Sequence, residues 1–317
     1  MLIDNERDVT AAVLAAAART PDARLREILL AGVRHLHGFV RDARLSEQEF
    51  RQLVVLIAQL GQRTTQSHNE VMLAAGSLGV SALVCLLNNG DGAETTANLM
   101  GPFWRDGAPP MRNGDSLLRC ATPGDPVFVD AWVRDEREQP VANARVDVWH
   151  ASPEGYYENQ DPEQADMNLR GTFVTDAAGH IAFRTVKPAG YPVPVDGPVG
   201  ALLRAQGRHN MRPAHLHFMI HKAGYKTQFS QVYSDGDPHL ESDAQFGVTR
   251  ALIAHYAAHD SAQETAPAAD VRGRWYTLQR TFVIERGPAQ LPTPPITGKA
   301  SARPELTVLQ ARPPAQP

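Results

Sequence analysis

Cysteine is nearly missing from this chain: Cys85 and Cys120 are the only two in 317 residues. A disulfide framework or a cysteine-built zinc site is therefore excluded by number. An excess of one charge sign is also lacking. With 31 Lys and Arg against 35 Asp and Glu, the formal charge is -4, which gives no reason to expect a nucleic-acid or membrane-surface partner. No apolar run reaches the about 20 residues of a membrane span. The N-terminal MLIDNERDVT is charged and lacks the apolar centre of a signal peptide. These absences predict a cytoplasmic enzyme or binding protein, with no nucleic-acid partner and no membrane insertion. What is plentiful is apolar sequence: at 43% hydrophobic residues, the chain can build a large core, and its length suits one large domain plus a smaller one.

The first hundred residues have helical periodicity. DVTAAVLAAAART and ARLREILLAGVRHLHGFV place apolar residues at three- and four-residue steps. In LSEQEF, Ser46 and Glu49 form a capping box, with Leu45 and Phe50 as its hydrophobic staple. Ser67 and Glu70 repeat the pattern before VMLAAGSLGVSALVCLLNN, which is apolar all round and predicts a buried or interfacial helix. After Gly101-Pro102 the period changes to two. VFVDAWV, RVDVWHA, GTFVTD, HIAFRTV, AHLHFMI, QFSQVYS and TLQRTFVIE alternate, with turn signals between them. This is the pattern of an antiparallel β-sandwich or barrel. PVPVDGPVG predicts an ordered loop, and the proline-rich tail from Gly287 predicts an extended or partly disordered end.

The chemistry centres on RPAHLHFMI, residues 212–220. Alternate residues of a strand share a face, so His215 and His217 project together, as a metal pair requires. Two buried structural histidines would give the same pattern. His221 has the same parity and could complete a three-histidine zinc site, although HKAG resembles a strand running into a turn. Tyrosine offers another completion. Of only seven tyrosines, Tyr156 and Tyr157 are adjacent in EGYYENQD and Tyr191 opens the proline-rich loop. A phenolate is a hard anionic ligand and favours a highly charged ion such as ferric iron. Arg212 is a surface residue at a strand entry or a fixed cation beside the metal. Trp149 and His150 are taken as structural.

The motifs DVWHASPEGYY, AGYPVPVDGPVG and GRHNMRPAHLHFMI, with NLMGPFW upstream, resemble the intradiol ring-cleaving catechol dioxygenases over the chain to about residue 285. The resemblance implies an α+β chain: a helical dimerisation and linker region (1–105), a β-sandwich catalytic domain with a ferric site (106–290), and a proline-rich tail (291–317). It implies one Fe(III) per subunit held by Tyr157, Tyr191, His215 and His217, with Tyr191 as the ligand that leaves the metal. Arg212 and Gln231 are implied as residues acting on the substrate. It further implies an aromatic diol and O2 as substrates and a homodimer through the N-terminal helices. Relatives carry a lipid at that helical interface, a role open here to the apolar helix around Val80–Leu87.

Within the family, YPVPVDGPVG, MRPAHLHFM and QFGVTRAL look most like the hydroxyquinol 1,2-dioxygenases, which convert benzene-1,2,4-triol to maleylacetate. Catechol or a substituted catechol, giving cis,cis-muconates, is the alternative. The pocket carried over comprises Cys85, Leu99, Met100, Gly101, Pro102, Phe103, Val193, Pro194 and Gln245. Three positions depart from the hydroxyquinol pattern, among them Gln231, which looks catechol-like. Cys85 stands where those relatives often have an aspartate able to accept a bond from the third hydroxyl, and cysteine accepts only weakly. Gln245 replaces a residue that is usually apolar.

Overall fold

The computed structural model describes residues 2–90 and 95–312. The chain divides into two compact units, Met1–Ala58 and Gln59–Pro317. The first begins with α1 (Glu6–Ala17), capped by Asn5 and closed reciprocally by Asp8, and α2 (Ala23–Asp42), capped by Asp22. Thr10 joins the two helices, meeting His37 Nδ1 at 2.9 Å and accepting from Arg41 at 2.9 Å. The third helix, α3 (Glu47–Gln62), starts as its sequence predicts: Ser46 N donates to Glu49 at 2.8 Å and Glu49 N to Ser46 Oγ at 3.3 Å. None of these three helices contains a buried residue.

The apolar run after Ser67 is two helices. Asn69, one residue before the helix, provides the cap that Ser67 was expected to supply, accepting from Met72 N at 2.9 Å. That cap starts α4 (Glu70–Ser77). Gly79, at φ 72°, breaks the run, and α5 (Val80–Asn88) leaves at 74° to α4. Glu70 is freed from capping and accepts from Val199 N at 2.9 Å. Among the described residues no single helix is long and apolar enough to cross a membrane.

All seven alternating segments are strands: β1 (Pro126–Asp135), β2 (Arg145–Trp149), β3 (Arg170–Val174), β4 (His180–Val186), β7 (His215–His221), β8 (Gln228–Ser234) and β11 (Arg274–Ile284). Four short strands complete the set: β5 (Tyr191–Pro192), β6 (Met211–Arg212), β9 (Ile253–Ala254) and β10 (Ala257–Asp260). One sheet has the order β10-β11-β1-β4 and the other β3-β2-β7-β8-β9, while β5 and β6 form a separate ribbon. The expected antiparallel sandwich needs one amendment, because β1 with β11 and β8 with β9 pair in parallel. The β1–β11 pairing brings the first and last strands of the sandwich side by side.

PVPVDGPVG also differs from the expected loop. It contributes the end of β5 and the start of α6 (Pro198–Ala205), where Pro198 occupies the first turn, a position that needs no N–H donor. The tail is extended as expected but is packed rather than disordered over 295–312. Ile296 is buried, and Thr297 and Gly298 both donate to the Gln66 carbonyl.

Strand β7 positions the site. Leu216, Phe218 and Ile220 pack into the core between the sheets with Val146, Val148 and Phe282. His215, His217 and Met219 point the other way, and Met219 joins a second apolar cluster containing Tyr157, Tyr191, Trp149 and Phe103. Both faces of the strand are therefore covered. This accounts for its almost continuous apolar sequence, in which the two imidazoles are the exceptions.

Candidate metal and diol site

Four side chains predicted from sequence converge outside the five-stranded sheet. Tyr157 Oη lies 3.2 Å from Tyr191 Oη, 3.4 Å from His215 Nε2 and 3.0 Å from His217 Nε2. The two imidazole Nε2 atoms are 3.0 Å apart. All four residues are buried. The β7 pleat aligns the histidines, Tyr191 enters from β5, and Tyr157 caps the short helical turn Glu158–Gln160. Trp149 stacks on the His217 ring, with centroids 4.7 Å apart, so this tryptophan touches the site. His150 turns away and bonds to Thr185 Oγ1 at 2.6 Å, in the structural role expected of it.

The donor set fits a metal ion. His215 Nδ1 donates to the Pro213 carbonyl at 2.6 Å, so its Nε2 presents a bare lone pair to the cluster. His217 Nδ1 is buried and has no partner among the described residues. If the His217 proton sits on Nδ1, a buried donor is orphaned and two lone pairs face each other. If it sits on Nε2, Nδ1 is a buried acceptor without a donor. A cation between the Nε2 atoms removes the repulsion in the first arrangement. Atoms spaced 3.0–3.4 Å apart can surround an ion at about 2 Å, a normal metal–nitrogen or metal–oxygen length.

Electrostatics leave the four groups neutral in the absence of such an ion. Burial pushes Tyr157 well above the usual phenol range, and Tyr191 adds to the effect. Burial also raises Tyr191, against the pull of Arg212. His215 is pushed down to about 3 by burial and then by Arg212, and His217 is lowered well below its ordinary value by burial, His215 and Arg212. Two phenols that resist ionisation become ligands only beside a strongly charged cation.

Arg212, on β6, is buried beside this cluster. Its Nε and Nη2 donate to the two Asp243 oxygens at 3.0 Å each, and Nη2 also donates to Gln231 Oε1 at 2.8 Å and Tyr233 Oη at 3.1 Å. Its Nη1 is 3.4 Å from His215 Nε2. Gln231 faces His217 across the β7–β8 pair and donates to the Leu99 carbonyl at 2.9 Å. The sequence reading missed Asp243 and Tyr233. Tyr233 was accessible, since it shares strand parity with Gln231. Asp243 was not, because it lies on a loop whose sequence carries no periodic signal.

A cavity of about 410 Å³ adjoins the cluster and brings together Cys85, Leu99, Met100, Gly101 and Gln245, with Ser81, Asn89 and Phe229 among its other walls. Gly101, at φ 72°, backs onto His217: a Cβ there would lie 3.2 Å from the imidazole Cε1. Pro102, Phe103, Val193 and Pro194 do not line this cavity. Phe103 packs on the Tyr157 ring at 4.5 Å and Val193 belongs to the same apolar cluster, while Pro194 borders a separate cavity of about 260 Å³. Gln245 spends its amide on Ser77 Oγ at 2.7 Å. Burial raises the Cys85 thiol to about 11, which keeps it protonated. His221 points its Nδ1 to Thr227 Oγ1 at 2.8 Å, and among the described residues no three His, Cys, Asp or Glu side chains gather as a metal site. The three-histidine zinc site is thereby contradicted.

Comparison with known proteins identifies the family. The family described as "Dioxygenase" matches residues 99–275, and the one described as "Catechol dioxygenase N terminus" matches residues 22–96. A hydroxyquinol 1,2-dioxygenase of Rhizobium sp. (strain MTP-10005) is 36% identical over 276 residues, covering 86% of this chain and 93% of that protein. A 6-chlorohydroxyquinol 1,2-dioxygenase of Cupriavidus pinatubonensis is 40% identical over 250 residues, covering 78% and 90%. The solved hydroxyquinol 1,2-dioxygenase of Pseudomonas putida DLL-E4 superposes with a TM-score of 0.77 at 35% identity, covering 89% of this chain and 99% of that one. The chain belongs to the intradiol ring-cleavage dioxygenase family and is a ring-cleaving dioxygenase.

Proposed function

We propose that this protein cleaves hydroxyquinol between its adjacent hydroxyl-bearing carbons to give maleylacetate, using one ferric ion per subunit. The observation that carries the metal reading is the convergence of two phenol oxygens and two imidazole Nε2 atoms at 3.0–3.4 Å spacings, with no hydrogen-bond partner among the described residues for the other nitrogen of His217, Nδ1. The choice of hydroxyquinol over catechol rests on likeness to relatives named for that substrate. Both oxygen atoms of O2 enter the product, so one diol and one O2 balance the reaction without an external reductant.

Tyr157, Tyr191, His215 and His217 would hold the ion. When bound, ferric iron supplies a Lewis acid and a template for the two diol oxygens. The chain supplies the rest. With the ion holding Tyr191 as a phenolate, its Oη would accept one proton from the incoming diol. Arg212, held by both Asp243 oxygens, places a fixed positive charge beside His215 and stabilises negative charge on the ring. Gln231, fixed between Arg212 and the Leu99 carbonyl, holds the substrate side of β8 in register. The wall of Cys85, Leu99, Met100 and Gly101 would take the ring.

We further assign the N-terminal helices to a homodimer contact. Ile28, Leu29, Leu36, Phe39 and Val40 of α2 are exposed large apolar residues, and α1–α3 bury none of their own. Such surfaces mark association sites. A bound lipid at that contact, a cytoplasmic location, and the division into helical, catalytic and tail segments at 105 and 290 belong to the same reading.

The test is product analysis with iron-loaded protein. Hydroxyquinol and O2 should disappear one for one, with maleylacetate formed and catechol turned over more slowly. Faster cleavage of catechol would reverse the substrate choice. An iron-loaded protein that leaves both diols intact would overturn the assignment.

A further inference from the structure

The tail, 295–312, lies beyond the residues matched by either family description, yet it is bonded directly to the segment bearing Tyr157 and, through Asn210, to the segment bearing Tyr191. We infer that it is a positioning strap for Tyr157 and Tyr191, closed by Arg303; the inference rests on the metal reading above.

The first anchorage is around Tyr157. Arg303 donates Nε to Asp161 Oδ1 at 2.7 Å and Nη2 to Oδ2 at 2.8 Å, and lies 3.1 Å from Glu163 and 3.4 Å from Glu154. Asp161 is fully buried, so this bidentate pair neutralises a charge that water cannot reach. Tyr156 Oη, next to the ligand, donates to the Pro304 carbonyl at 3.2 Å. Ala300 N donates to the Asn159 carbonyl at 2.7 Å. The turn bearing Tyr157 is thus tied to the tail on either side of the ligand.

The second anchorage is around Tyr191. The Asn210 amide donates to the carbonyls of Val193, at 2.7 Å, and Thr307, at 2.9 Å, and accepts from Leu309 N at 2.8 Å. The two anchorages meet at Gly155 (φ 87°), where a Cβ would lie 3.2 Å from Tyr191 Cβ and 3.3 Å from Leu306 Cδ1. Ile296 packs in the apolar cluster that holds both tyrosine rings, with Leu309 against it. One segment therefore sets the spacing of two ligands that arrive from separate parts of the chain, a turn and strand β5.

The experiment compares ferric-loaded, full-length wild type with Arg303→Ala, Arg303→Lys and Tyr156→Phe. It reads the rate of iron release to a chelator, the position of the visible charge-transfer band, and Tm. Arg303→Ala should release iron at least ~10-fold faster, the scale on which supports behind a ligand act, with a shifted band. Lysine lacks the bidentate fork and should recover only part of the loss. Tyr156→Phe should give a smaller change in the same direction, and carries the test if Arg303→Ala does not fold. A lowered Tm with unmoved band and release rate in these variants would make the tail merely stabilising and overturn the strap. A wild type that binds ferric iron without colour would overturn the tyrosinate reading, and the strap with it; a coloured wild type with unchanged variants overturns the strap alone.

Discussion

The two units of this chain distribute polarity in opposite ways. In Met1–Ala58 the helices carry Ile28, Leu29, Phe39, Val54 and Val55 exposed, with nothing buried in α1 or α2. In Gln59–Pro317 the residues with least access to water include Arg212, Asp243, Arg170 and Glu158. Exposed apolar surface loses the hydrophobic term, and buried charge loses solvation unless it is paired. The helices leave that surface uncovered, whereas the buried charges of the larger unit are paired within it, Arg212 with Asp243 and Arg170 with Glu158. The sandwich core between the sheets, by contrast, is complete in itself. Leu216, Phe218, Val232 and Phe282 are fully buried there, with only apolar neighbours to satisfy.

The sharpest way to break the second half of this contrast is to remove a ligand. Tyr157→Phe keeps the ring and its packing on Phe103 but deletes the oxygen at the centre of the cluster. It should lower metal affinity by more than ~100-fold, since supports behind a ligand alone account for 10–100-fold, should leave only the weaker, shifted band of Tyr191 on any iron that binds, and should abolish turnover. Iron content and absorbance after reconstitution check this.

Next in size is Arg212→Ala, which leaves Asp243 buried and unpaired. The expected loss is about 3–5 kcal/mol of stability, measured by denaturant unfolding, together with loss of activity. Replacing the pair by Arg212→Met and Asp243→Leu should restore much of that stability but no activity. That outcome would separate charge kept for function from charge kept for folding. The pair also predicts a pH dependence. Burial would raise Asp243, but Arg212 and the hydrogen bonds more than reverse it, so the folded carboxylate titrates below its unfolded value. Its stabilisation is complete above about pH 4 and is lost as pH falls through the depressed folded value. Acid unfolding of Asp243→Asn should lack that component.

The helical half is tested by Leu36→Glu with Phe39→Glu. Sedimentation should show a dimer becoming a monomer, with turnover per iron changed by less than about threefold, because neither residue belongs to the site. The smallest effect is expected from His221→Ala, which removes a ring bonded to Thr227 and should leave iron content unchanged.

Much of this contrast was legible in the sequence, and the exceptions have physical causes. The two-residue period placed seven strands, and strand parity put His215 and His217 on one face. Periodicity works there because β7 is pinned between two apolar layers. It could not show that β1 and β11 run parallel, since register and direction depend on residues far apart in the chain. Gly79 alone turned an apolar run into two helices, because a left-handed residue is needed only at the bend. The prolines marked the tail as extended or partly disordered, and extended chain is the form in which Arg303 and Pro304 reach one loop while Thr307 and Leu309 reach Asn210. Asp243 was hidden because a counter-ion for Arg212 is chosen by space, not by spacing. Gln245 and Pro194 show the same limit: one is occupied by Ser77 and the other borders a different cavity, facts that no local pattern carries.

The most direct test of the central claim is the visible spectrum of the ferric-loaded protein, recorded before and after anaerobic addition of hydroxyquinol or catechol. Tyrosinate ligation by Tyr157 and Tyr191 predicts a broad charge-transfer band that shifts when the diol binds, at lower concentration for hydroxyquinol than for catechol. A colourless protein with a full complement of iron would contradict it.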